Sequence, residues 1–199
     1  ESVAAVCLDA CKMAKECGIT VSCDLNYRKN LWTTEQAKAT MERLLEYVDI
    51  LIANEEDAEK VLGISAPDTD VTAGKLNKEG YVSVAKQICR KYGITTVAIT
   101  LRQSISASDN NWSGMLYTND TAYFSREYAV HLVDRVGGGD SFGAGLIFAI
   151  GHGFEPQKCI DYAVAASCLK QTMEWDVNLS TEKEIMTLVN GDGSGRVQR

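Results

Sequence analysis

Apolar residues recur at helical spacing from Ser2 to Cys17, and Gly18 follows as a natural residue just past a helix end. The next run, ITVSCDLN, is short, apolar and rich in β-branched residues, which predicts a buried strand ending at Asp24 to Asn26. A polar loop, YRKNLW, leads to Thr33 or Thr34 as the cap of a helix reaching about Tyr47. DILIAN reads as a second buried strand, and NEEDAEKVLG as a short helix closed by Gly63. The stretch SAPDTDVTAGKLNKEG is turn-rich and reads as an exposed loop. A helix near Tyr81 to Tyr92 then feeds the strand TTVAITL. Three strand–helix alternations imply an α/β fold with a parallel sheet and helices on its faces.

After that strand the pattern changes. SISASD, a turn at Asn110-Asn111, WSGMLYT and AYFSREY read as consecutive short antiparallel strands. VHLVDR then precedes GGGDSFGAGLIFAI, followed by two more helical stretches, EPQKCIDYAVAASCLKQT and TEKEIMTLVN. The last residues, GDGSGRVQR, have the composition of a loose terminus.

Composition narrows the class. The 199 residues are 45% hydrophobic and 24% charged with only two prolines, enough apolar material for a folded domain and too much for a disordered chain. No apolar run approaches the ~20 residues of a membrane-spanning helix. Lys plus Arg total 20 against 27 Asp plus Glu, a net charge of −7 that argues against nucleic acid or an anionic membrane as partner. The seven cysteines are odd in number, form no CxxC pair and lie mostly in apolar stretches, so they read as reduced thiols in a cytoplasmic protein. Cys7 and Cys11 share a helix face, but with only His131 and His152 elsewhere no zinc site is expected. Both histidines and Trp32, Trp112 and Trp175 read as structural, the tryptophans as core or pocket wall.

One segment carries chemistry. Gly137-Gly138-Gly139 is poor in helix or strand and marks a special turn, directly before the apolar helix Ser141 to Ile150. A loop of free N–H groups at a helix N-terminus favours anions. Asp140 in that positive field suits a carboxylate that accepts a hydroxyl proton while the amides stabilise a phosphoryl group. The competing reading is an ordinary helix start with Asp140 as N-cap. A dinucleotide-binding GxGxxG is excluded by Phe142, and a Walker A loop by the absence of lysine after the glycines.

DRVGGGDSFGAGLI resembles the C-terminal signature of the ribokinase-like (PfkB) carbohydrate kinases, with Arg135 in place of the small residue usual there. The DRVGGGDSF variant, with CDLNYRKNLW, ANEEDAEKVLG, TLRQSISASDNNW and GSGRVQR, is similar to the 2-keto-3-deoxygluconate kinases of that family. The resemblance implies a three-layer α/β/α sandwich with a mostly parallel sheet. Residues 1–199 would form the C-terminal, nucleotide-binding and catalytic portion, without the N-terminal lid and first strands. It implies ATP and Mg²⁺ as cofactors, a sugar acid as substrate, and a homo-oligomer when complete. Fructokinase- or ribokinase-type activity and a non-catalytic nucleotide-binding fragment are the competing expectations.

By the same resemblance Asp140 is the catalytic base, Gly137, Gly138 and Gly139 form the anion hole, and Arg28 and Asp176 contact substrate. Asn26, Asn54, Thr100, Arg102, Ser106, Ala163 and Ala166 fall at nucleotide positions, although Leu-Arg-Gln-Ser replaces the usual glycines after Thr100. Two alanines are also what tight helix packing needs. Asn54-Glu55-Glu56-Asp57 resembles the family's NxxE motif, so Asp57 or Glu56 would help place Mg²⁺ through water. An acidic first turn complementing the helix dipole is the plainer reading of those carboxylates.

Overall fold

The computed structural model describes residues 2–65 and 78–191, so the expected loop within 65–80 and the terminal tail lie almost wholly outside the described residues. The elements are α1 (Ser2–Glu16), β1 (Ser22–Asp24), α2 (Thr34–Leu45), β2 (Ile50–Asn54), α3 (Glu55–Leu62), α4 (Lys78–Tyr92) and β3 (Thr96–Ser104). They continue with β4 (Asp109–Thr118), β5 (Thr121–Phe124), β6 (Tyr128–His131), α5 (Gly138–Gly151), α6 (Pro156–Gln171) and α7 (Glu182–Asn190). Strands hydrogen-bond in the order β1-β2-β3-β4-β5, with β6 against β4. The sheet is mixed: β1 and β2 are parallel, with Cys23 opposite Leu51, and β4 and β6 are antiparallel, with Asp109 opposite His131. The chain forms two compact units, residues 1–99 with 117–122 and residues 100–116 with 123–199.

In the first unit, β2 is buried almost throughout, as an apolar ILIAN strand with neighbours on both sides requires. β1 departs from expectation: only Ser22 to Asp24 form strand, alternating exposed and half-buried. Among the described residues it ends the strand order and pairs only with β2, so burial is not enforced on both sides. Helix α2 starts with a capping box in which Thr33 and Gln36 serve each other's backbone N–H groups. Helix α3 is capped by Asn54 and closed by Gly63 in the left-handed region at φ 66°. Val3, Val6 and Met13 leave an apolar stripe of α1 exposed.

Asp49 ties four segments of this unit together. Its carboxylate meets Lys15 Nζ at 2.5 Å and accepts the Val21 N–H at 2.9 Å, and its carbonyl accepts the N–H groups of Thr95 and Thr96. Burial pushes the Asp49 carboxyl up, but Lys15 and the Val21 N–H more than offset it and hold the group below the usual carboxylate range. A carboxyl lowered in the folded state stabilises fully at neutral pH, and that contribution fades as pH falls through the lowered value. Asp49→Ala therefore costs about 1 kcal/mol at neutral pH, the net worth of such a hydrogen bond. Urea melts of variant and parent should differ at neutral pH and converge in acid.

In the second unit, α5 and α6 form the core contact. Gly145 of α5 lies so close to α6 that a Cβ there would stand 3.1 Å from Ala163 Cα and 3.1 Å from Ala166 Cβ. Phe142, Leu146, Ile160 and Val164 are fully buried around this crossing. On β4, Gly114 admits the same layer, since its Cβ would meet Val164, Ile160 and Phe142 at 2.9 to 3.2 Å. Asn110 and Asn111, expected to turn, instead lie within β4, opposite Val130 and Ala129. The turn falls earlier, where Ser106 Oγ accepts the N–H groups of Ser108 and Asp109 and donates to Asp109 Oδ2 at 2.7 Å.

Candidate active site

The glycine turn is built by its neighbours. Gly137 is the N-cap of α5 and adopts φ 77°, with no side chain capping the helix. A Cβ at Gly137 would stand 2.0 Å from the Asp176 carbonyl oxygen, so glycine is required by both conformation and space. Gly138 rests on Gln171, whose Cγ would lie 3.3 Å from an added Cβ. The Gly138 carbonyl accepts from the buried Ser167 Oγ at 2.7 Å, and the Gln171 carbonyl accepts the N–H groups of Val133 and Asp134. The last turns of α6 thus hold both the approach to the turn and its second glycine.

The Gly138 N–H donates to the Arg135 carbonyl at 3.2 Å and the Ser141 N–H to the Gly137 carbonyl at 2.9 Å. Between them, the N–H groups of Gly139 and Asp140 meet no acceptor among the described residues. Two open amides at a helix N-terminus form a ready anion site. Asp140 is the third residue of α5 rather than its cap, which removes the N-cap reading. Its side chain is exposed and has no hydrogen bond or ion pair among the described residues.

The other expected residues of this unit spread over strand β3, two loops and helix α6. Thr100 is buried in β3, whereas Arg102 and Ser106 are exposed, Ser106 being committed to the turn described above. Asp176 is exposed and contributes its carbonyl against Gly137. Ala163 and Ala166 are buried against Gly145, so their observed work is helix packing. Trp175, expected in a core or pocket wall, is 77% exposed with φ 69°. His131 has an acidic partner that spacing did not suggest: its Nδ1 meets Asp109 Oδ1 at 2.8 Å, because β6 sets the two residues opposite. Unforeseen too is Lys170, fully buried, with Nζ donating to the Met173 carbonyl at 3.3 Å at the head of the Asp176 loop.

The first unit carries a separate group of polar residues. Asn26 follows β1 at φ 41°, its N–H donating to Asp24 Oδ1 at 3.2 Å, and is exposed. Arg28 is exposed, and its guanidinium donates to the Tyr27 carbonyl. Asn54 caps α3 by accepting the Asp57 N–H at 2.8 Å. Of the two carboxylates left open by sequence, Glu56 is exposed and paired with Lys60, while Asp57 is buried. Burial, then the nearby Asp24, push the Asp57 carboxyl up to about 6, against the Tyr27 N–H, Arg28 and Lys60, which pull it down. A buried carboxylate beside a second one is destabilised until positive charge arrives, which fits a cation held through water. No group of three or more Asp, Glu, His or Cys among the described residues could hold a metal directly.

The family model of the pfkB family carbohydrate kinases matches residues 2–174. The chain belongs to that family. Among solved structures, the 2-dehydro-3-deoxygluconokinase of Thermotoga maritima is 49% identical with a TM-score of 0.90, over 96% of this chain and 56% of that one. A PfkB family carbohydrate kinase of Listeria grayi is 34% identical with a TM-score of 0.82, over 94% and 55%. Among curated proteins, the 2-dehydro-3-deoxygalactonokinase of Haloferax volcanii is 26% identical over 182 residues, 92% of this chain and 51% of that protein. This PfkB chain therefore spans about half the length of the relatives it matches. Its fold is that of ribokinase-like solved structures, one of them a putative Ribokinase II from E. coli at a TM-score of 0.65 and 21% identity, over 91% of this chain and 52% of that one.

Proposed function

We propose that the protein transfers the γ-phosphoryl group of ATP to a hydroxyl of a sugar acid, most directly 2-keto-3-deoxygluconate, giving its 6-phosphate. The observation that carries this reading is the α5 N-terminus: two open amides, no side-chain cap, and an exposed Asp140 without a partner among the described residues. The amides of the glycine turn take up charge on the transferred group, and Asp140 accepts the hydroxyl proton. Arg28 offers a planar fork of donors to an anionic group, and Asp176 a carboxylate to the sugar acid. By the family resemblance, Thr100, Arg102, Ser106, Asn26 and Asn54 are each assigned to nucleotide binding. Ala163 and Ala166 are assigned to the adenine by the same resemblance, on the helix that they pack against α5. Asp57 would hold Mg²⁺ through water, and the metal when bound offsets charge on the phosphates. The specific sugar acid is supported by the 49% identity to a 2-dehydro-3-deoxygluconokinase.

A cytoplasmic setting goes with this reading, supported by seven thiols that are all free. No helix among the described residues is long and apolar enough to cross a membrane. The complete protein is expected to be a homo-oligomer.

The deciding experiment is a panel of 2-keto-3-deoxygluconate, fructose and ribose offered to the full-length protein with ATP and Mg²⁺. The expected result is a kcat/KM for the sugar acid about 100-fold or more above the others, the scale of a pocket that pairs a buried substrate group. A preference for fructose or ribose would replace the substrate, and ATP binding without turnover on any sugar would replace the reaction.

A further inference from the structure

We propose that Arg135 is a positioning residue that holds the loop Ile105–Ser108 in place relative to the glycine turn, and that it thereby sets the affinity for nucleotide. The proposal rests on the kinase reading above for its second half only. Arg135, which departs from the family pattern before the glycines, reaches the loop that follows Leu101-Arg102-Gln103-Ser104, the second departure. The Arg135 guanidinium donates from Nη2 to the Ala107 carbonyl at 2.5 Å, across 28 residues of sequence. Its own carbonyl accepts the Gly138 N–H at 3.2 Å. One residue is thus bonded through its side chain to the loop and through its main chain to the turn.

The rest of the loop is fixed from other directions. The N–H groups of Ile105 and Ser106 donate to the Asp109 carbonyl at 2.9 and 3.0 Å, and the Leu132 N–H donates to the Ser108 carbonyl at 2.7 Å. Ala107 is the tip, and among the described residues its carbonyl accepts a bond from Arg135 alone. A charge-assisted bond on an exposed loop adds little to global stability but decides whether the tip is ordered. A small residue at position 135 could not span the gap, so the arginine supplies restraint to a loop whose sequence carries no glycine turn of its own.

The test uses full-length Arg135→Ala and Arg135→Lys. Without nucleotide, amide exchange at Ile105, Ser106, Ser108 and Asp109 should speed up about tenfold in Arg135→Ala, while Val97 to Leu101 in β3 are unchanged. The KM for ATP should rise about tenfold, with the KM for the sugar acid within about twofold, and Arg135→Lys should recover part of both effects. Unchanged loop exchange overturns the proposal even if the ATP KM rises, because the guanidinium would then act on the nucleotide itself. Faster exchange with an unchanged ATP KM overturns the link to nucleotide affinity. The exchange measurement needs no turnover, so a failure of the kinase reading is seen separately in the sugar panel.

Discussion

Asp140→Asn in the full-length protein lowers kcat by about 10²–10⁴-fold, the contribution of a positioned general base, and leaves nucleotide affinity within about twofold. The substitution isolates chemistry because Asp140 has no structural task in the helix start. Gly137 occupies the cap, and no partner among the described residues depends on the Asp140 carboxylate. An asparagine of the same shape keeps the open backbone amide proposed to meet the transferred group, but its side chain cannot take up a proton. Steady-state turnover and a nucleotide titration read the two effects independently. Turnover near the parent's value would remove Asp140 from the base role.

Gly137→Ala should be nearly as damaging to turnover, through geometry. The new Cβ would stand 2.0 Å from the Asp176 carbonyl in a backbone at φ 77°, so either the turn or the Asp176 loop must move. Displacing the Gly139 and Asp140 amides from the developing charge should cost about 10²–10³-fold in kcat, the scale of losing an oxyanion-type donor. The strain and clash should also remove about 1–3 kcal/mol of stability. Gly139→Ala is the matched control: its Cβ would meet nothing within 4 Å, so its melting temperature should stay at the parent value. Equal melting temperatures for all three proteins would show that the turn tolerates a Cβ at 137.

Local signals were legible in the sequence. Thr33 before Gln36, Asn54 before Asp57 and Gly63 after an apolar face announce α2 and α3 because capping uses side chains three residues away. The glycine run announced a turn, since consecutive glycines have few other uses. Contacts made across long sequence separations were not legible. The pairing of Asp109 with His131 follows from the β4–β6 register, and the bond from Arg135 to Ala107 spans 28 residues. Asn110-Asn111 carries turn-forming residue types, but β4 passes through it because the Ser106 hydroxyl folds the chain back earlier. The burial of Asp57 over Glu56 could not be read from adjacent acidic residues, because which of them faces inward depends on how α3 docks. The main-chain part of Asp176 was not legible: its carbonyl, which residue identity does not reveal, stands against Gly137 and leaves room for glycine alone.

Under the proposed function, this site moves the γ-phosphoryl group of ATP onto a sugar acid. The deciding measurement follows a γ-phosphoryl label on ATP in the presence of Mg²⁺, 2-keto-3-deoxygluconate and the full-length protein. The label should appear on the 6-hydroxyl of the sugar acid, and Asp140→Asn should slow its transfer by about 10²–10⁴-fold. Label released only as inorganic phosphate, or transferred equally well by Asp140→Asn, would contradict the proposed function.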